Sequence, residues 1–222
     1  MITALALSGG KDSIACLHLM RDSIDFALYV DTGFSYPETA AMIDYARDFI
    51  PVITVHSDRE NQNKRFGLPS DIVPIDWTVL GQQITGEKPA LIQSYLGCCY
   101  ENISVPLYDK AVELGVDELI YGQRNDEGHK SPARNGDMIG NIRRLNPIET
   151  WSASDVLNYL ETKMAVPEHF HIKHSSLDCY DCTAFRKDSK DRIAWTKEHY
   201  PAYFVEFSVR AKMIDAALLE AM

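Results

Sequence analysis

Six consecutive residues, Ser8-Gly9-Gly10-Lys11-Asp12-Ser13, bring two glycines, two hydroxyls, a cation and a carboxylate into one short stretch. Glycine lets the backbone turn tightly and brings bare N–H groups close to a ligand. Lys11 adds a full positive charge, and Ser8 and Ser13 add hydroxyls. Together these types suit a phosphate. The common nucleotide loop G-x-x-x-x-G-K-[ST] is not matched, because Leu5 stands where its first glycine belongs and Asp12 where Ser or Thr belongs. G-x-G-x-x-G is absent as well. Asp12 admits two readings, one orienting a metal-bound polyphosphate and one capping the helix that follows.

A second group is built from sulfur. The adjacent pair Cys98-Cys99 is followed far downstream by Cys179-x-x-Cys182. Two close pairs of thiolates make a four-sulfur site suited to zinc or to an iron–sulfur cluster. Neighbouring side chains diverge, so adjacent cysteines are awkward ligands for one tetrahedral ion, whereas a cluster offers them separate corners. The fifth cysteine, Cys16, falls on the apolar face of a helix and reads as a small core residue rather than a nucleophile. Arginines form a third group. An oxyanion in a protein of formal net charge −10 must be compensated locally, and planar guanidinium forks suit that task. Lys11 and Arg124 lead this set, with Arg134, Arg143 and Arg144 behind them.

The elements that must position these groups alternate between strand and helix. Residues 2–7 read as a buried strand and 14–20 as a helix, so the first loop is a strand-to-helix turn whose helix start favours an anion. Residues 26–30 are a second strand entering Asp31-Thr32-Gly33. A helix follows from about Pro37 to Phe49, with Glu38 beside its positive end. Residues 52–55 form a third strand, 119–121 a fourth that feeds Gly122 to Glu127, and 139–145 a fifth. The expected fold is α/β, an open, mostly parallel five-stranded sheet with helices on both faces and further helices at the C-terminus. Ligands in such sheets bind beyond the carboxyl ends of the strands, where strand order reverses. The first loop and Asp31-Thr32-Gly33 are therefore expected to face one pocket.

Residues 57–74 read as a surface loop or short hairpin, with Arg59, Lys64 and Arg65 either solvated or forming an arm over the ligand. Residues 128–137 read as a mobile loop, and His169, His171 and His174 as an exposed polar one. A nucleotide-binding domain over 1–165 is expected. Residues 166–222 would add the cysteine-pair loop and a helical appendage packed on that domain.

The first loop resembles the PP-loop, S-G-G-x-D-S, of the adenine nucleotide alpha-hydrolase superfamily. Val30-Asp31-Thr32-Gly33 with Pro37-Glu38-Thr39 is similar to the V-D-T-G…P-E-T segment of the reductases of adenylyl sulfate (APS) and its 3′-phospho form (PAPS). Gly122-Gln123-Arg124 resembles their G-x-R element. Pro147-Ile148 with Trp151, Asp155, Val156 and Tyr159 resembles the helix they carry next. The motifs follow the family's order over roughly residues 1–185.

The resemblance implies an adenine nucleotide (PAPS, APS or ATP) held by Ser8, Gly9, Gly10, Lys11, Asp12, Ser13, Asp31, Thr32, Gly33, Glu38, Gly122, Arg124 and Arg143. Lys11, Asp12 and Arg124 would be the catalytic set. It implies a [4Fe–4S] cluster, ahead of zinc, on Cys98, Cys99, Cys179 and Cys182, in sulfur metabolism, with a thioredoxin-like reductant or a sulfur donor as partner.

Two features depart from the reductases. Those enzymes attack with a cysteine in a C-terminal E-C-G-L-H segment, and no cysteine follows Cys182 here. The loop itself is closer to members that use ATP. Cluster-bearing PP-loop enzymes of DNA phosphorothioation and tRNA thiolation combine both traits. With ATP as substrate, Mg²⁺ is expected, and nucleic acid enters only as an acceptor. Readings from other classes are a nucleotide- or cluster-sensing module without turnover and a zinc-stapled adapter.

Composition bounds these readings. At 222 residues with 45% hydrophobic content, the chain can bury a sizeable core. No stretch reaches membrane-spanning length, and a cytoplasmic homo-oligomer is expected. The acidic balance argues against broad, sequence-independent binding to nucleic acid. Five cysteines in a reducing compartment do not suggest a disulfide framework.

Overall fold

In a computed structural model, which describes residues 1–128, 130–172, 177, 179–186 and 188–221, the chain opens as a repeated strand–helix alternation. The elements run β1 (Thr3–Ala6), α1 (Lys11–Met20), β2 (Phe26–Asp31), α2 (Pro37–Arg47), β3 (Val52–His56), α3 (Arg59–Phe66), β4 (Leu68–Ser70), α4 (Val79–Thr85) and β5 (Ile92–Ser94). They continue α5 (Tyr95–Cys99), α6 (Val105–Glu113), β6 (Glu118–Ile120), β7 (Met138–Ile139), β8 (Ile142–Leu145), α7 (Ala153–Glu161), α8 (Lys190–His199) and α9 (Pro201–Glu220). No helix among the described residues is long and apolar enough to cross a membrane.

Two compact units interleave along the sequence. The first comprises Met1–Asp31, Pro37–Val55 and Pro106–His171, and the second Thr32–Tyr36, His56–Val105 and Ile172–Met222.

The first unit holds a mixed six-stranded sheet in the order β3-β2-β1-β6-β8-β7. Strands β2, β1, β6 and β8 run parallel, in register Leu5 with Ala27, Leu5 with Ile120, and Ile120 with Leu145. Successive strand residues point to opposite faces, and the sequence uses both. Leu5, Ala27, Tyr29 and Ile120 join Ile14, Leu17, Ile43, Val156 and Leu160 in one buried cluster. Ala4, Leu28, Leu119 and Ile142 join Leu107 and Ala111 in another. Each fully buried Leu or Ile contributes about 1.5–3 kcal/mol, which is why strands of three to six residues suffice here.

The sheet has one more strand than the sequence suggests. The run from Ile139 to Leu145 turns at Gly140, whose φ of +58° suits glycine. A Cβ there would also stand 2.1 Å from the Tyr108 hydroxyl oxygen. The result is an antiparallel pair, β7 with β8, in place of one strand.

The second unit contains what was expected to be a surface loop or hairpin. Residues 59–66 instead form α3, where Asp58 accepts from the Asn61 amide and Lys64 pairs with Glu60. The helix ends at Gly67, whose φ is +95° and whose Cβ would lie 2.0 Å from the Leu91 carbonyl oxygen. That close approach lets β4 pair in parallel with β5. The Gln93 amide ties the pair to α3 by donating to Gln62 Oε1, Asn63 Oδ1 and the Gly67 carbonyl. A small apolar core of Trp77, Ile92, Ile214 and Ala217 closes beneath. After α5 the chain makes a π-helical turn, Tyr100–Ser104, before α6. Such turns occur frequently at functional sites.

Candidate functional site

The loop between β1 and α1 is shaped by its own polar atoms. The Ser8 amide donates to Ser13 Oγ at 3.2 Å, the Gly10 amide to Ser8 Oγ at 3.3 Å, and the Ser13 hydroxyl to the Gly10 carbonyl at 2.9 Å. Both hydroxyls therefore hold the turn itself. Gly9 has φ +75°, and a Cβ there would crowd the Thr39 methyl and carbonyl at 3.1 Å. Gly10 is the N-cap of α1 and no side chain caps this helix. The backbone N–H groups of the first turn, with the helix dipole, make an anion-binding concavity.

Sheet topology places a second loop beside it. β1 and β6 are neighbours, yet β1 leads through α1 to β2 on its other side, so a crevice opens beyond their carboxyl ends. Gly122, just past β6, packs directly on α1: a Cβ there would lie 2.7 Å from the Asp12 carbonyl carbon and 2.8 Å from the Ser13 nitrogen. Arg124 then enters the first turn of α1 and is 7% exposed. Its Nε stands 2.7 Å from Asp12 Oδ1, its Nη1 2.6 Å from Asp126 Oδ1, and its Nε 3.7 Å from Glu127 Oε1. Lys11 Nζ lies 3.8 Å from the other oxygen of Asp12. Asp12 does not cap the helix; its carboxylate serves Arg124 and Lys11.

This cluster is electrostatically tense. Burial raises the Asp12 carboxyl above its ordinary range, against the lowering pull of Lys11 and Arg124. Burial and the nearby Asp12 charge push Glu127 up to about 7, although Arg124 and Lys11 oppose the shift. Sequence reasoning passed over Glu127 and Asp126. The available signal was two acids close behind an arginine at a strand end, but the partial burial that sets Glu127 apart is something sequence cannot display.

Asp31 ends β2, the parallel neighbour of β1, and Glu38 precedes Thr39, on which Gly9 of the loop packs. Arg143 sits opposite Glu118, the first residue of β6, at the amino end of the parallel strands and away from the loop. Its neighbour Arg144 is buried over the Tyr121 ring at 3.9 Å and donates to Gln123 and Asn146. Gln123 also pins the segment expected to be mobile, accepting from the Ser131 amide and donating to the Ser131 carbonyl. Arg134 donates within that same segment. His169 packs on Phe170 in a short 3₁₀ turn; His174 lies outside the described residues.

Cys16 is wholly buried, its thiol 3.8 Å from the Tyr121 carbonyl, and burial pushes its pKa far up. It is a core residue. Cys16→Ala is expected to cost about 1–2 kcal/mol of stability and to leave nucleotide affinity within twofold of the parent, as urea denaturation and calorimetry would show.

The sulfur residues, with Thr32 and Gly33, belong to the second unit. Cys98 is buried on α5, its thiol 3.7 Å from both Asn63 Oδ1 and Asn102 Nδ2. Cys179 and Cys182 flank a turn closed by the Cys182 amide on the Cys179 carbonyl. Thr32 Oγ1 lies 3.3 Å from Cys179 Sγ. Arg192 donates to the carbonyls of Cys179 and Cys182. None of the five cysteines is in a disulfide. Burial pushes the Cys179 thiol up to about 12, against the pull of Arg59 and the Thr32 hydroxyl.

Arg59, one of the polar residues read from sequence as a solvated charge or an arm, is 2% exposed. Burial works against its charge, but Cys179, Asp181 and Cys98 more than offset it and raise its pKa. Among the described residues, no group of three or more His, Cys, Asp or Glu side chains is placed to hold a metal ion. Cys98, Cys99, Cys179 and Cys182 lie in one unit, and thiolate is the donor type that iron–sulfur groups take.

Comparison with known proteins agrees with this architecture. The family model for the phosphoadenosine phosphosulfate reductase domain matches residues 2–185. No curated protein matches the chain. Among solved structures, phosphoadenylyl-sulfate (PAPS) reductase from Candida auris, in a phosphate complex, is 17% identical with a TM-score of 0.52, over 81% of each chain. FMN adenylyltransferase of Candida glabrata, in complex with ATP, is 14% identical with a TM-score of 0.43, covering 81% of this chain and 53% of that one. A predicted subunit of tRNA methyltransferase from Methanocaldococcus jannaschii is 15% identical with a TM-score of 0.40, covering 89% and 87%. The family match spans most of the chain and includes the β1–α1 loop, the β6 loop and all four paired cysteines, so the chain belongs to the phosphoadenosine phosphosulfate reductase domain family.

Proposed function

We propose that the protein is a PP-loop enzyme of sulfur metabolism that binds an adenine nucleotide with its phosphates on the Ser8–Ser13 loop and cleaves it. The observation that carries this reading is the uncapped first turn of α1, with Lys11 beside it and Arg124 packed behind it through Gly122. Backbone donors and a fixed cation aimed at one spot stabilise charge that develops on phosphate oxygens.

ATP is the favoured nucleotide, with Mg²⁺ travelling as part of the substrate. An acceptor oxygen attacks the α-phosphorus, the bond to the bridging α,β-oxygen breaks, and pyrophosphate leaves with the negative charge that Lys11 and the α1 amides neutralise. The supporting observation is Cys16: the one cysteine of the first unit is buried and held as the thiol, so it offers no nucleophile for a sulfonucleotide. Sulfonucleotide reduction is the second reading, and the family match to residues 2–185 favours it.

In either case Cys98, Cys99, Cys179 and Cys182 would hold a [4Fe–4S] cluster, with Arg59 offsetting its charge. That group supplies electrons or sulfur when bound. A thioredoxin-like reductant or a sulfur donor would be the partner, nucleic acid a candidate acceptor, and the cytoplasm the setting.

Product analysis tests this. Anaerobically purified protein is assayed for iron, sulfide and zinc, then incubated separately with ATP, APS and PAPS in the presence of Mg²⁺ and a reduced thiol carrier. With no other acceptor present, water takes its place at the α-phosphorus, and AMP with pyrophosphate from ATP, with no product from APS or PAPS, is the expected result. Sulfite with AMP or 3′-phospho-AMP would establish the reductase instead. Tight binding without product would leave a sensor, and zinc in place of iron an adapter.

A further inference from the structure

The cations at the loop are outnumbered before any ligand arrives. Lys11 and Arg124 face Asp12, Asp126 and Glu127, so the cluster carries one excess negative charge when all five groups are ionised. This is an odd place to receive a polyphosphate. The three carboxylates are not held equally. Arg124 Nη1 donates to Asp126 Oδ1 at 2.6 Å and its Nε forms a close ion pair with Asp12 Oδ1 at 2.7 Å, whereas Glu127 stands at 3.7 Å, beyond hydrogen-bond range of that side chain. Asp126 has further support from the Ala153 amide at the start of α7. Glu127 has the backbone N–H of Arg124 as a hydrogen-bond partner, but of the three carboxylates it stands farthest from the guanidinium.

We propose that Glu127 serves the phosphate site as a proton carrier, entering the complex as the neutral acid, so that loading a nucleotide onto the loop takes up one proton from solution. The proposal rests on the nucleotide reading above. The groups that face Glu127 are Asp12 and Lys11 from α1 and Arg124 from its own loop. Burial and Asp12 already push it up to about 7. An added phosphate charge acts in the same direction as Asp12, since like charges disfavour ionisation. The sign follows. A group whose pKa rises on binding favours the complex at low pH, and that contribution is lost as pH climbs above the value in the free protein. Affinity therefore falls on the alkaline side of neutrality.

The test uses the α,β-methylene analogue of ATP with Mg²⁺, and separately 3′-phosphoadenosine 5′-phosphate, on the full chain by titration calorimetry. Runs in buffers of different ionisation enthalpy count the protons taken up. Wild type is expected to bind about twentyfold more weakly at pH 9 than at pH 7.5, with uptake close to one proton at pH 8. Glu127→Gln, which keeps the shape of the neutral acid, is expected to bind within twofold across that range with no uptake. Ionisation of the ligand itself is common to both proteins and cancels in the comparison.

Carboxyl ¹³C titration of wild type gives a readout independent of the variant's folding. A Glu127 midpoint near 7 that rises on binding supports the proposal, and one near the ordinary 4.5 overturns it. Binding with the same pH profile and proton count in both proteins overturns the proton role and leaves the nucleotide site standing. No binding of either nucleotide from pH 6 to 9 overturns the site and the proposal with it.

Discussion

Gly122→Ala is expected to lower nucleotide affinity about a hundredfold while most of the fold survives. The added methyl would sit 2.7–2.9 Å from the Asp12 carbonyl carbon and oxygen and the Ser13 nitrogen, which are all backbone atoms. A flexible side chain can rotate out of such a contact, but the first turn of α1 can only move as a body. Overpacking of this kind costs about 1–3 kcal/mol of stability. The functional cost is larger, because the displaced turn carries the N–H donors and Asp12, and a shift of about 1 Å at a site of this kind costs about 10²-fold. Gly128→Ala is the control, since a Cβ there meets nothing within 4 Å. Calorimetric titration and thermal unfolding of both variants decide the matter. Unchanged affinity in Gly122→Ala would remove the first turn of α1 from the nucleotide site.

The second large effect belongs to Asp181, inside the Cys179-x-x-Cys182 turn. Its carboxylate is fully buried between two guanidiniums, 2.5 Å from Arg59 Nη1 and 2.5 Å from Arg210 Nη1. Both arginines lie over the Phe34 ring, at 4.7 and 5.5 Å. Asp181→Ala leaves Arg59 buried without its carboxylate partner, and breaking a buried pair in this way costs about 3–5 kcal/mol. Thermal midpoint should fall by about 10 °C for a chain of this length. The double change Arg59→Met with Asp181→Leu should recover part of the loss, because apolar replacement removes the stranded charge as well. A loss under about 1 kcal/mol for the single variant, measured by urea denaturation, would show that water reaches the pair.

These two residues also mark what the chain discloses in advance and what it withholds. The β1–α1 turn was legible because a strand, two glycines and an apolar helix follow one another within twenty residues. The strand-end position of Gly122 and Arg124 followed from the same alternation. By contrast α3, with the sequence Arg-Glu-Asn-Gln-Asn-Lys-Arg-Phe, has almost no apolar periodicity. It is held by the Asp58 cap, by Gln93 from a distant strand and by the ion pair of Arg59 with Asp181, 122 residues away. Of these only the Asp58 cap is local; the other two join residues far apart in the chain. Strands β4 and β5 are three residues each and exist only because Gly67 admits the Leu91 carbonyl. The turn at Gly140 was hidden inside a run that alternates well enough to pass as one strand. Glu127 looks like any exposed loop acid until its burial beside Asp12 is known.

The strand order has a consequence for how the chain comes off the ribosome. β1 is made first and sits inside the sheet, yet one of its two neighbours, β6, follows it by 115 residues, as in the pairing of Thr3 with Glu118. At about 5–20 residues per second, roughly 6–23 s separate the synthesis of the two partners. Throughout that interval β1 and β2 form an unfinished ribbon whose inner edge offers unpaired N–H and C=O groups to any passing strand. Folding of the first unit is therefore completed late, by a long-range pairing that is intrinsically slow. Production should respond more to translation speed and chaperone supply than to the strength of any single contact in the finished protein.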